Sequence, residues 1–81
     1  MNIDRFGIVN DEVISDPDLT IQAKGIYSIL CTFANKQRKC FPSIATIADI
    51  ANVSQRTVDR KIKELKDKKY VKRDGKYLKL L

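Results

Sequence analysis

The chain contains no histidine. That absence removes the Ser-His-Asp and Cys-His arrangements of nucleophilic catalysis, because a hydroxyl or thiol is left without its usual base. It also leaves Cys31 and Cys40 without the imidazole that a small zinc site draws on. Two cysteines in different elements read as reduced thiols rather than as a disulfide or a ligand pair. Glycine is scarce as well. Gly7, Gly25 and Gly75 stand alone in the sequence, so they build neither a phosphate-binding loop nor a dinucleotide fingerprint. The prolines are Pro17 and Pro42 only, and no Ser/Gly linker, repeat or low-complexity segment marks a domain boundary. No stretch reaches the roughly 18 apolar residues of a membrane span, and residues 1–7 lack the basic and apolar regions of a signal peptide. The acids Asp16 and Asp18 sit in a polar, turn-like segment, "SDPD", too well solvated for acid chemistry at neutral pH. These exclusions leave no catalytic residue, no metal and no cofactor, so an enzyme is not expected. They point to a cytoplasmic protein that does not span a membrane.

What remains is 81 residues, 43% of them hydrophobic, enough for one small domain over residues 1–81 that buries roughly 60% of its unfolded surface. The net charge of +6 is unevenly spread. Residues 1–54 hold five Lys/Arg against six Asp/Glu, a net of −1; residues 55–81 hold eleven against four, a net of +7. Such an asymmetry is the electrostatic footprint of a polyanion partner, although a lysine-rich solvated face produces the same count.

Apolar spacing divides the chain into elements. Residues 1–17, with "RFGIV" inside them, read as an extended N-terminal segment. Leu19, Ala23, Ile26, Tyr27, Leu30, Phe33 and Ala34 then recur at three-and-four spacing, which predicts a helix over residues 21–35 with Thr20 as N-cap and Asn35 as its stop. Cys40-Phe41-Pro42 suits a very short strand, since the residue before proline is pushed toward extended backbone. Ser43 caps a second helix whose buried stripe is Ile44, Ile47, Ala48 and Ala51. Asn52 falls where a left-handed turn residue is needed. Ser54 caps a third helix over residues 54–69, with Val58, Ile62 and Leu65 at i, i+4 and i+7 facing the core.

At about 100° per residue, Arg56, Arg60, Lys63 and Asp67 occupy the face opposite that stripe, with Gln55 and Thr57 near the exposed first turn. A plain solvated helix accounts for this face through Asp59-Lys63 and Glu64-Lys68 pairs at i,i+4, but it leaves Arg60 competing for Glu64. The spacing across both helices favours a more specific reading. In "IADIANVSQRTVDRKI", Ala48 precedes the turn at Asn52 by four residues, then come Val53, Ser54, Thr57, Val58 and Arg60. This resembles the helix-turn-helix of bacterial and phage DNA-binding proteins, in which a small residue, a turn glycine and "VS..TV" with a basic residue recur. Asn52 replaces the usual glycine.

The C-terminal "KKYVKRDGKYLKLL" carries an Asp74-Gly75 turn signal. A type I′ hairpin closed there pairs Arg73 with Lys76, Lys72 with Tyr77, Val71 with Leu78 and Tyr70 with Lys79. Val71 and Leu78 then face the core, Tyr70, Lys72, Tyr77 and Lys79 face away, and Arg73 and Lys76 flank the tip. The expected fold is therefore mainly α with a small β-hairpin: a three-helix winged helix-turn-helix with a wing at residues 70–81.

Further upstream, Leu19, Ala23 and Lys24 fit an "L-x-x-x-A-K" helix opening, and Cys40, Pro42 and Ser43 fit "C-x-P-S". Together with the helix-turn-helix they resemble the winged domains of phage and plasmid replication initiators and related bacterial regulators. The resemblance implies sequence-specific binding of double-stranded DNA in replication initiation or transcriptional regulation. It leaves room for a homodimer, or for a further domain of a longer chain. The alternative class is a winged-helix protein-protein interaction module. The candidate DNA-contacting residues are Ser54, Gln55, Arg56, Thr57, Arg60 and Lys63 on the third helix, and Lys72, Arg73 and Lys76 in the wing. Of these, Gln55, Arg56, Thr57 and Arg60 are placed to read base edges, and Lys63 and the wing cations to hold phosphate.

Overall fold

The computed structural model describes residues 11–34, 39–40, 43–74 and 77–80. In chain order the elements are α1 (Asp11–Ser15), α2 (Ile21–Phe33), β1 (Lys39–Cys40), α3 (Ile44–Ala51), α4 (Gln55–Asp67), β2 (Val71–Asp74) and β3 (Tyr77–Leu80). The result is the expected mainly helical fold with a small antiparallel sheet, enlarged by one short helix, and the short strand expected near residue 40 joins the hairpin.

The short helix corrects the extended reading of residues 1–17. Residues 1–10, and "RFGIV" with them, lie outside the described residues, but residues 11–15 are helical. Asp11 and Glu12 sit in the first turn, where the helix dipole favours acids, and Val13 is fully buried. A single apolar anchor in five residues leaves no periodicity to detect.

The three longer helices begin on hydroxyl caps. Thr20, Ser43 and Ser54 each have extended backbone and accept a hydrogen bond from the N–H three residues on, that of Ala23, Thr46 and Thr57 respectively, satisfying a donor that has no intrahelical partner. The helix predicted over 21–35 stops at Phe33, because Ala34 turns extended (ψ 140°); Asn35 lies outside the described residues. Phe33 is 41% exposed rather than buried. Between α3 and α4, Asn52 adopts φ 57° and ψ 45°, the left-handed conformation expected of it. The Val53 N–H bonds the Ala48 carbonyl and the Asn52 N–H that of Asp49, which is the Schellman pattern for ending a helix.

Val58, Ile62 and Leu65 of α4 are at most 3% exposed. They join Ala23, Ile26, Tyr27 and Leu30 of α2 and Ile47 and Ala48 of α3 in one core. Ile44 and Ala51, predicted to belong to the same stripe, are half-buried against it.

The sheet runs β1-β3-β2, all antiparallel. Its register departs from the predicted hairpin by two residues: Val71 pairs with Leu80, Lys72 with Lys79, Arg73 with Leu78 and Asp74 with Tyr77. The predicted register places Leu80 opposite Lys69, which the end of α4 holds at φ 64°, a conformation that cannot continue a strand. Starting β2 at Val71 instead pairs Leu80 within the sheet, where it is 2% exposed. A shift of two preserves the faces, so Val71 and Leu78 stay buried as predicted. Tyr70 moves most: it precedes the strand and turns its hydroxyl to Asp16. On the other edge Lys39 pairs with Lys79 and Cys40 with Leu78. The buried Cys40 thiol donates to the Leu78 carbonyl at 3.5 Å. The strand expected at residues 40–42 is therefore at 39–40 within the described residues.

Candidate nucleic-acid interface

Helix α4 is held from behind by acids belonging to the N-terminal part of the chain or turned toward it. The Glu64 carboxylate accepts the Thr20 backbone N–H at 2.9 Å and the Thr20 hydroxyl at 3.3 and 3.4 Å. It is thus a cap delivered from α4 to the N-terminus of α2, where the dipole favours negative charge. Partial burial pushes the Glu64 carboxyl up, but the Thr20 N–H and the Lys61 ammonium outweigh it and hold the group below the usual range. Lys61 pairs with Glu64 at 3.4 Å, and Lys68 reaches Asp16 at 3.3 Å and Asp18 at 3.4 Å. Neither the Asp59-Lys63 nor the Glu64-Lys68 pair of a plain solvated helix is present among the described residues; Glu64 and Lys68 are engaged on the inner side instead.

The consequence is a division of the cations on α4. Lys61 and Lys68 are tied to acids of the fold, whereas Arg56, Arg60 and Lys63 are exposed and, among the described residues, have no acidic partner. All three point away from Val58, Ile62 and Leu65, as the helical spacing predicted. Gln55 is exposed beside them. Ser54 is exposed, but its hydroxyl is occupied as the cap. Thr57 does not share the outward face: it is half-buried, its hydroxyl lies 3.0 Å from that of Ser54, and it lines a small cleft with Gln22, Gly25 and Val53. Helical spacing already put Thr57 to one side of the arginines, a signal overridden by its place in the exposed first turn.

In the wing, Lys72 and Arg73 are exposed on β2, and Lys76 lies outside the described residues. Arg73 sits one pair inside the Asp74–Tyr77 end of the ladder rather than at the tip. The register aligns Lys39, Lys79 and Lys72 across all three strands. Like charges directly opposed across a ladder disfavour the pairing. Two cations that sequence reasoning passed over, Lys66 and Lys69, line a concavity with Lys72 and Arg73. Only the fold brings the end of α4 against β2.

Residues 18–71 match the family model of a helix-turn-helix domain. The chain belongs to this family. The match runs from the turn before α2 to the first residue of β2, so it includes the two helices joined at Asn52 and leaves most of the wing beyond its limit. Comparison with curated proteins and with solved structures finds no match. Among the described residues no helix is long and apolar enough to cross a membrane. A helix-turn-helix domain makes DNA the expected partner.

Proposed function

We propose that this helix-turn-helix domain binds double-stranded DNA sequence-specifically, as a binding module rather than an enzyme, in replication initiation or transcriptional regulation. Helix α4 enters the major groove, with Gln55, Arg56 and Arg60 on its N-terminal half directed to base edges. Lys63, Lys72, Arg73 and Lys76 hold phosphate. The observation that carries this reading is the sorting of charge on α4: cations on the inner side are neutralised by Glu64, Asp16 and Asp18, while Arg56, Arg60 and Lys63 on the outer side keep no acidic partner among the described residues. A guanidinium presented this way pairs bidentately with guanine.

Titration of a labelled duplex at several salt concentrations tests the proposal. Affinity must fall steeply with salt, because each phosphate contact releases condensed counterions. A salt-independent affinity, or none, rejects DNA as the partner and favours a winged-helix module that docks on protein.

A further inference from the structure

Between the end of α4 and β2 lies a groove of about 380 Å³, lined by Lys66, Lys69, Val71, Lys72 and Arg73. Four of these five residues are cationic and none is acidic. Lys68, in the midst of them, turns the other way to Asp16 and Asp18. The groove also continues the outer face of α4, since Lys66 follows Lys63 by three residues and lies beside it on the helix surface.

Lys69 makes this more than a chance grouping. It ends α4 in a Schellman motif, its own N–H bonding the Lys66 carbonyl at 2.9 Å and the Tyr70 N–H bonding that of Leu65 at 3.0 Å. The motif needs a left-handed residue, and Lys69 has φ 64°. Glycine takes that conformation at least cost, and asparagine tolerates it better than other side chains. Asn52 follows that preference at the equivalent place after α3; Lys69 does not. Non-glycine residues held in this region cluster at functional sites.

We infer that this groove seats a backbone phosphate of the bound duplex, and that Lys69 occupies the left-handed position for its ammonium group. The inference rests on the DNA-binding reading above. The occupant is the sugar-phosphate backbone because three of the four cations are lysines, flexible point charges that satisfy phosphate oxygens without the planar fork that fixes a base.

The test uses Lys69→Gly, Lys66→Ala and Asn52→Gly in thermal melts and in duplex titrations across salt. Lys69→Gly is expected to melt above the parent and yet bind more weakly, equally on preferred and scrambled duplexes, with the slope of log affinity against log salt shallower by about one unit. Lys66→Ala gives the same slope change without the gain in melting temperature. Asn52→Gly melts at or above the parent temperature and keeps the parental slope. Either lysine variant retaining the parental slope, or losing affinity for the preferred duplex alone, overturns the phosphate seat while leaving DNA binding intact. A parent that ignores duplex DNA at every salt concentration overturns both.

Discussion

The Tyr70 hydroxyl donates to the Asp16 carboxylate at 2.7 Å across 54 positions of sequence, fastening the start of the wing to the turn that precedes α2. Asp16 is only 9% exposed. It also accepts from the Asp18 N–H at 2.8 Å and from Lys68 at the end of α4. One carboxylate thus fixes the turn, the helix end and the wing relative to one another.

This cluster predicts how stability depends on pH. The Tyr70 hydroxyl, then the Asp18 N–H and Lys68, hold the Asp16 carboxyl below its usual range against partial burial. A depressed carboxylate stabilises the fold above its unfolded pKa of about 4 and loses that contribution as pH falls through the folded value. Hydrogen bonding to Asp16 raises both Tyr70 and Lys68, so their contributions are present below their ordinary ranges and lost as pH rises through the raised ones. Tyr70→Phe is expected to lower the melting temperature at neutral pH, with the difference from the parent narrowing in acid below about pH 4 and in strong alkali. A difference constant from acid to alkali refutes the coupling.

Glu64 is the other tether, and its loss strikes a helix on which it does not lie. Glu64→Ala removes the acceptor of the Thr20 N–H at the start of α2 and is expected to destabilise the domain by about 1 kcal/mol, the usual scale of a lost cap. Hydrogen exchange locates the effect: the first amides of α2 should lose protection more than those of α4 around residue 64.

How far these features were legible follows from the range of the interactions involved. The caps Thr20, Ser43 and Ser54, the stripe Val58-Ile62-Leu65 and the left-handed Asn52 are local, decided within one or two helical turns, and the residue types announce them. The Glu64–Thr20 and Tyr70–Asp16 bonds join positions 44 and 54 apart, and no spacing rule reaches that far. The wing lies between these cases. Asp74-Gly75 is a sound hairpin signal, but the register was decided by the left-handed end of α4 at Lys69 and by the burial of Leu80. On the candidate interface, helical spacing separated Arg56, Arg60 and Lys63 from the core stripe. The lysine groove formed by α4 and β2 needed the fold.

Gly25 gives a test of packing. It lies within α2, and a Cβ built there meets nothing within 4 Å. Gly25→Ala is therefore expected to stabilise the domain by about 0.5 to 1 kcal/mol, through helix propensity and reduced freedom of the unfolded chain. Chemical denaturation measures it, and a loss of stability would show that the cleft beside Gln22, Val53 and Thr57 has no room for a methyl group.

The lysine row gives a test of electrostatics. Lys79 stands between Lys39 and Lys72 in the sheet register, and like charges directly opposite are destabilising. Moderate salt should raise the melting temperature of the parent by screening that repulsion. Lys79→Glu should raise it at low salt and flatten its salt response. If salt lowers the parent's melting temperature, other surface pairs dominate.

The division of labour along α4 decides how sequence is read. Arg56 and Arg60 lie one turn apart on the outer face of its N-terminal half, in reach of base edges in a major-groove docking, whereas Lys63 lies further along, and Lys72 and Arg73 stand in the wing. Loss of a base contact is expected to erode discrimination by about 1 to 3 kcal/mol, and loss of a phosphate contact to weaken all duplexes alike. Arg60→Ala should therefore reduce affinity for a preferred duplex and leave affinity for a scrambled one largely unchanged. Lys63→Ala and Arg73→Ala should reduce both by the same factor and make the salt slope shallower by about one unit. None of the three side chains is buried or paired with an acid among the described residues, so their melting temperatures should stay near that of the parent, and differences in binding then report contacts rather than folding. The reverse pattern, with Arg60→Ala lowering both duplexes equally and Arg73→Ala only the preferred one, would assign sequence reading to the wing and backbone holding to α4.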